Sequence, residues 1–308
     1  MNLNNNFDSL SHQPLWAALI TPFNVDGDVD FESLKIIATQ QADAGNALLL
    51  LGSTGEGLAL TNDEQFHIVD FVCQLQLNVP LMVAVGGYNL TTQVDWIKRC
   101  NTLPIHAYLL GSPIYAKPGP VGQTQWFSCL LDTADFPCML YNVPSRSGVS
   151  IPISTLQQLQ KHANCWAVKE ASGDINQFLA YREHCPDVAL YSGEDAMMPY
   201  LANAGVKGLV SVCANAWPAA TRYYVELSLQ GQTDSLFPLW QNAVDALFQV
   251  ANPIAVKVLM HEQQVISTPV LRPPLTHLEL AANNSLIEAD QKITLWLAQR
   301  QWQRHVGE

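Results

Sequence analysis

Cys165-Trp166-Ala167-Val168-Lys169-Glu170-Ala171-Ser172-Gly173-Asp174 is a short apolar run that ends on a lysine and passes at once into a polar turn. The run is apolar throughout and does not alternate, which marks a strand buried on both faces, as in a parallel sheet. The same pattern recurs outward along the chain. Residues 16–20, 47–51, 81–85, 107–110 and 138–142 precede the 166–169 strand, and residues 188–191 and 208–211 follow it. Between these runs lie turns rich in Gly, Pro, Ser and Asn, then amphipathic stretches such as 31–44 and 63–76. In the first stretch Leu34, Ile37, Ala38, Gln41 and Ala44 recur at helical spacing. Eight such units predict an α/β protein, a (β/α)8 TIM barrel. The rival is an open doubly wound sheet, and no Gly-x-Gly-x-x-Gly turn opens the first unit.

After the eighth run the pattern turns helical, over about 219–230, 234–250, 253–263 and 285–303, with a Pro-rich loop at 268–276. The expected organisation is an N-terminal arm (1–13), the barrel (14–230) and an additional C-terminal helical segment packed on it (231–308). The arm is polar and expected to be loosely held. It has neither the basic nor the apolar region of a signal peptide, and no run is long enough to span a bilayer.

The composition, 48% hydrophobic and 14% charged, excludes a disordered chain. A net charge of -12 without a basic stripe makes nucleic acid an unsuitable partner. Seven cysteines are scattered, with no Cys-x-x-Cys pair and no zinc spacing. They suit a reducing, cytoplasmic compartment, and the chain is expected to need no metal and no organic cofactor.

In a barrel of this kind chemistry sits where the C-terminal strand ends converge. The polar residues that close the apolar runs are therefore candidates: Thr21; Ser53, Thr54 and Glu56; Tyr141, Asn142 and Arg146; Lys169; Ser192, Gly193 and Glu194; Ser211 and Asn215. A lysine is almost never buried without a partner or a task. Desolvation favours the neutral amine, which can attack a ketone and form a Schiff base. A lysine at a strand end can also snorkel its ammonium to water. Gly52-Ser53-Thr54-Gly55-Glu56 offers hydroxyls and amides to a carboxylate, or is a plain βα turn whose Ser and Thr cap the next helix. Tyr141 can carry protons, or be an interior tyrosine bonded to a backbone carbonyl. Arg146, beyond Pro144, can clamp a carboxylate or make a surface ion pair. Tyr115, between Pro113 and Pro118, can be presented to a neighbouring subunit or lie on its own surface.

Taken together, these segments resemble the dihydrodipicolinate synthase / N-acetylneuraminate lyase family of Schiff-base aldolases. The resemblance is carried, in order, by Thr21-Pro22-Phe23 with Asp26-Gly27, by 52–56, by Tyr141-Asn142-Val143-Pro144-Ser145-Arg146-Ser147-Gly148 and by 168–174. Ser192-Gly193-Glu194-Asp195, Asn252-Pro253-Ile254-Ala255-Val256-Lys257 and Leu271-Arg272-Pro273-Pro274-Leu275 complete it, over about residues 14–280. Family resemblance implies a (β/α)8 barrel with a helical tail, assembled as a homotetramer (a dimer of dimers).

Arg146 resembles the family's synthase branch, which condenses pyruvate with L-aspartate 4-semialdehyde in the first committed step toward lysine and diaminopimelate. The resemblance then implies that Lys169 forms the Schiff base with pyruvate. Tyr141 would be the proton carrier, joined to Ser53 and Thr54 and to Tyr115 reaching across a dimer contact. Thr54 would bind the pyruvate carboxylate, Arg146 the semialdehyde carboxylate, and Gly193 and Val210 would line the pocket. Two alternatives remain: a pyruvate-dependent aldolase splitting a sialic or keto-sugar acid, and a non-catalytic metabolite-binding regulator. Ser53 stands where the family often has threonine, and Ile114 where many members have a second tyrosine. Gln65 and Gln93 occupy positions where lysine-inhibited members carry histidine and glutamate. A glutamine offers no anion to a lysine ammonium, so lysine feedback is expected to be weak or absent.

Overall fold

The computed structural model of the chain describes residues 10–234 and 236–306. Eight parallel strands close into a barrel in chain order: β1 (Leu15–Ala18), β2 (Ala47–Leu50), β3 (Leu81–Val85), β4 (Ala107–Gly111), β5 (Cys138–Asn142), β6 (Cys165–Glu170), β7 (Ala189–Ser192) and β8 (Gly208–Ser211), with β8 pairing back to β1. The expected barrel and its C-terminal helices are both present. Side chains alternate between two apolar layers. Trp16, Leu49, Met82, Leu109, Met139 and Val210 point into the barrel, while Leu15, Leu48, Val83, Leu110, Leu140 and Leu209 face the surrounding helices. Both faces are therefore dry, which is why the strands read as unbroken apolar runs.

The helices start where short polar side chains can accept from free backbone amides. Asp30 accepts from Ser33 N at 3.0 Å and opens the helix Phe31–Asp43. Thr61 and Glu64 form a reciprocal capping box at the start of Asn62–Gln74. After β8 come Pro218–Leu229, Leu239–Leu247, Ile254–Glu262 and Asn284–Val306. The expected helix over 234–250 is thus shorter than its apolar periodicity suggests. Pro238 lacks an amide hydrogen and fixes φ, so it is accommodated at the start of the helix rather than inside it.

The expected loose arm divides at residue 10. Residues 1–9 lie outside the described residues. Leu10 is buried in the barrel-interior layer, and its carbonyl accepts from Tyr191 Oη at 3.3 Å. Ser11 Oγ accepts from Trp166 Nε1 at 3.2 Å. With Trp16 packed edge to face on Trp166, and Tyr191 tilted against Trp166, this segment plugs the N-terminal floor of the barrel. The opposite, C-terminal mouth is left open for the site.

Candidate active site

Tyr141 and Lys169 are register partners on β5 and β6, near the strands' C-terminal ends. The Lys169 side chain is buried, 6% exposed, with Nζ 4.4 Å from the centroid of the Tyr141 ring. It takes part in none of the ion pairs among the described residues. A buried amine that faces an aromatic ring and lacks a carboxylate partner is placed to react with a carbonyl compound.

A cavity of about 320 Å³ opens beside this pair, and Ser53, Thr54, Tyr141, Arg146 and Lys169 all line it. The β2 loop that supplies Ser53 and Thr54 is bent tightly. Leu51 and Glu56, neither of them glycine, take left-handed backbone angles of +62° and +53°. A Cβ on Gly57 would lie 2.0 Å from the Leu51 carbonyl oxygen, so only glycine fits there. Thr21 Oγ1 donates to the Gly55 carbonyl at 2.6 Å and ties this loop to the end of β1.

The other expected residues are placed differently. Gly193, at the end of β7, lies against the Lys169 stem behind the cavity wall: a Cβ there would meet Lys169 Cε at 2.8 Å. Val210 lies in the barrel-interior layer and, like Gly193, is not part of the cavity wall. Tyr115 is 91% exposed, on a left-handed backbone turn (φ +69°), and is not part of the cavity wall of its own chain. Gln65, Gln93 and Ile114 do line the cavity, and Gln65 donates to the carbonyls of Gly57 and Leu60.

Several polar strand-end residues prove to be structural. Asn142 donates to Glu170 Oε2 at 2.6 Å and accepts from Ile151 N at 2.8 Å. Ser211 donates to the buried Asp195, and Asn215 bridges β1 by accepting from Ile20 N and donating to the Ala18 carbonyl. Burial pushes the Glu194 carboxyl above its usual range, and Asp195 adds to this while the Lys169 charge opposes it.

The sequence matches the dihydrodipicolinate synthetase family over residues 12–292. The chain belongs to that family. A 4-hydroxy-tetrahydrodipicolinate synthase of Francisella philomiragia is 48% identical to it over 287 residues, covering 92% of this chain and 97% of that protein. One from Wolbachia pipientis is 43% identical over 286 residues, covering 92% and 96%. Among solved structures, the chloride-inhibited dihydrodipicolinate synthase of Acinetobacter baumannii, complexed with pyruvate, superimposes with a TM-score of 0.86 at 28% identity, covering 92% of this chain and 99% of that one.

In this member of the dihydrodipicolinate synthetase family the structure adds a group of residues to which the sequence reading gave no role. Lys257 is fully buried and donates to Glu56 Oε1 and to the Val270 carbonyl, with Nζ 4.1 Å from the Phe23 ring centroid. Burial pushes its ammonium down to about 8, against the pull of Glu56. Glu56 also accepts from Arg272 N at 2.8 Å. Asn252 Nδ2 donates to Thr54 Oγ1 at 3.0 Å. The C-terminal segment is therefore fastened directly to the β2 loop of the site. A signal for Lys257 was present in the sequence: it is a lone lysine among Ile254, Ala255, Val256, Leu259 and Met260, all on buried positions of one helix.

Proposed function

We propose that this chain is a 4-hydroxy-tetrahydrodipicolinate synthase that joins pyruvate to L-aspartate 4-semialdehyde through a Schiff base on Lys169. The observation that carries this reading is the buried Lys169 amine, free of any ion pair among the described residues and stacked on Tyr141 in a cavity with Arg146 in its wall. The named relatives support the same activity. The amine attacks C2 of pyruvate, and water leaves to give the imine. Loss of a methyl proton makes the enamine, whose carbon attacks the semialdehyde aldehyde. Tyr141, with the Ser53 hydroxyl, carries protons in both stages. The product's own amine then displaces Lys169 and closes the ring. Thr54 holds the pyruvate carboxylate and Arg146 the semialdehyde carboxylate, which suits a planar guanidinium. The aldehyde half of a sialic or keto-sugar acid carries no carboxylate and would give Arg146 no such partner.

The same reading makes the protein a cytoplasmic homotetramer in which Tyr115 completes the site of a neighbouring subunit. The free state of all its cysteines and the outward stance of Tyr115 support it. Among the described residues no helix is long and apolar enough to cross a membrane. Gln65 and Gln93 in the cavity wall support weak or absent feedback by lysine.

Borohydride reduction in the presence of pyruvate tests the central step. Peptide mass spectrometry is expected to find the mass of pyruvic acid less one oxygen atom on Lys169. An adduct elsewhere, or none, would refute the assignment.

A further inference from the structure

Thr54 is buried, and its Oγ1 accepts from Asn252 Nδ2 at 3.0 Å. A threonine hydroxyl has one proton to donate and two lone pairs. With an amide N–H on one lone pair, the proton points away from Asn252, and Thr54 is itself part of the cavity wall. Asn252 is buried behind that wall, and its Oδ1 has no hydrogen-bond partner. With the amide turned over, Oδ1 would take the hydroxyl proton and draw it out of the cavity. The backbone carbonyl of the same residue accepts from Arg146 Nη2 at 3.5 Å. One residue of the C-terminal segment thus touches both side chains assigned above to substrate carboxylates. The buried Lys257–Glu56 pair pins the same two chain segments at a second point, beyond Asn252 on one and beyond Thr54 on the other.

We infer that Asn252 is a positioning residue whose side-chain amide fixes the Thr54 hydroxyl as a donor toward the carboxylate of the 2-oxo acid substrate. The inference rests on the reading of Thr54 as the partner of the pyruvate carboxylate. A hydroxyl already oriented gives up less freedom when the substrate arrives, so the effect falls on pyruvate binding. It does not fall on the Arg146 side, because a substitution at Asn252 leaves the backbone carbonyl in place.

Steady-state kinetics of the intact enzyme, with pyruvate and aspartate semialdehyde each varied, tests this in Asn252→Ala, Asn252→Asp and Thr54→Val, alone and combined. Asn252→Ala is expected to raise the KM for pyruvate about tenfold, the scale of one hydrogen bond to a charged group. Both kcat and the KM for semialdehyde should stay within about twofold. Asn252→Asp keeps the shape but only accepts, so it too is expected to raise the KM for pyruvate. In the Thr54→Val background Asn252→Ala should add no further rise, because the hydroxyl it orients is gone. A rise of equal size in that background would overturn the inference. So would a wild-type pyruvate KM in Asn252→Asp, or a joint shift of kcat and both KM values. Should Asn252→Ala fail to fold, Asn252→Leu, which is neutral, close in size and unable to donate, carries the same comparison. Thr54→Val with an unchanged pyruvate KM would instead refute the role of Thr54 itself.

Discussion

Gly193 carries no side chain, and the Lys169 stem occupies the space beside it. A Cβ there would lie 2.6 Å from Ala171 Cβ and 2.8 Å from Lys169 Cε. Gly193 is anchored by its own amide, which donates to the Glu170 carbonyl at 2.7 Å, so the backbone cannot easily give way. Gly193→Ala is therefore expected to push the amine off its place over Tyr141. A displacement of about 1 Å in a reacting group costs roughly 10²-fold in rate. Turnover, and the rate of imine formation with pyruvate, should fall together by that order while far-UV circular dichroism is unchanged. Lys169 was legible in the sequence because an apolar run ended on it. The role of Gly193 as a space for the lysine, behind the cavity wall, was not, because it depends on contact between neighbouring strands.

The direction of Lys169 is set by an irregularity in its strand. Cys138 pairs with Cys165, but Met139 pairs with Ala167, which leaves Trp166 as an extra residue in β6. Cys165 belongs to the helix-facing layer, Trp166 and Ala167 both belong to the barrel interior, and Val168 faces the helices again. Lys169 therefore points inward beside Tyr141. Strict alternation counted from Cys165 would have sent it outward, since a slip of one residue exchanges the two faces. The apolar run shows no trace of this, because all of its positions are buried on one face or the other. At the same scale, the helix Asn62–Gln74 is joined to the C-terminal segment by Glu64 and Arg272, whose Nη2 lies 2.6 Å from Glu64 Oε1. The Arg272 guanidinium, helped by Thr61 and opposed by burial, holds the Glu64 carboxyl down to about 2, against 4.5 for the ordinary group. A folded-state value below the unfolded one gives stability that is present above the unfolded value and is lost as pH falls through the folded one. Thermal denaturation should show this between about pH 4.5 and about pH 2. Glu64→Gln is expected to melt lower than the wild type at neutral pH and to lose less on acidification. An equal decline in both would show that the pair contributes nothing to acid sensitivity.

At the scale of the whole molecule the cavity draws on distant parts of one chain, and on our reading of Tyr115 it also needs a second chain. Tyr115 stands 91% exposed and is not part of the cavity wall of its own chain. If it serves a neighbour's site, two inactive variants should complement each other. In a mixed assembly of Lys169→Ala and Tyr115→Phe subunits, the site with an intact lysine receives an intact Tyr115 from its neighbour. Mixing under conditions that exchange subunits is expected to restore a fraction of wild-type turnover, measured against each variant alone. No recovery in assemblies shown to be mixed would place the action of Tyr115 within its own chain. The C-terminal segment packs on the barrel as helices, and through the Lys257–Glu56 pair and the Asn252–Thr54 bond it also supports the site.

Local pattern alone determined the eight βα units, the lysine at the end of the sixth run, and the tyrosine, hydroxyls and arginine at the ends of others. Each of these follows from hydrophobic periodicity and from turn residues within a few positions of one another. Tertiary structure alone decided which face Lys169 takes, that residues 10–13 close the barrel floor, and that Asn252 and Lys257 reach the β2 loop. Those outcomes depend on strand register and on contacts between residues some 200 positions apart in the chain, such as Asn252 with Thr54 and Lys257 with Glu56. Closing the barrel brings them together, and no short-range pattern encodes that.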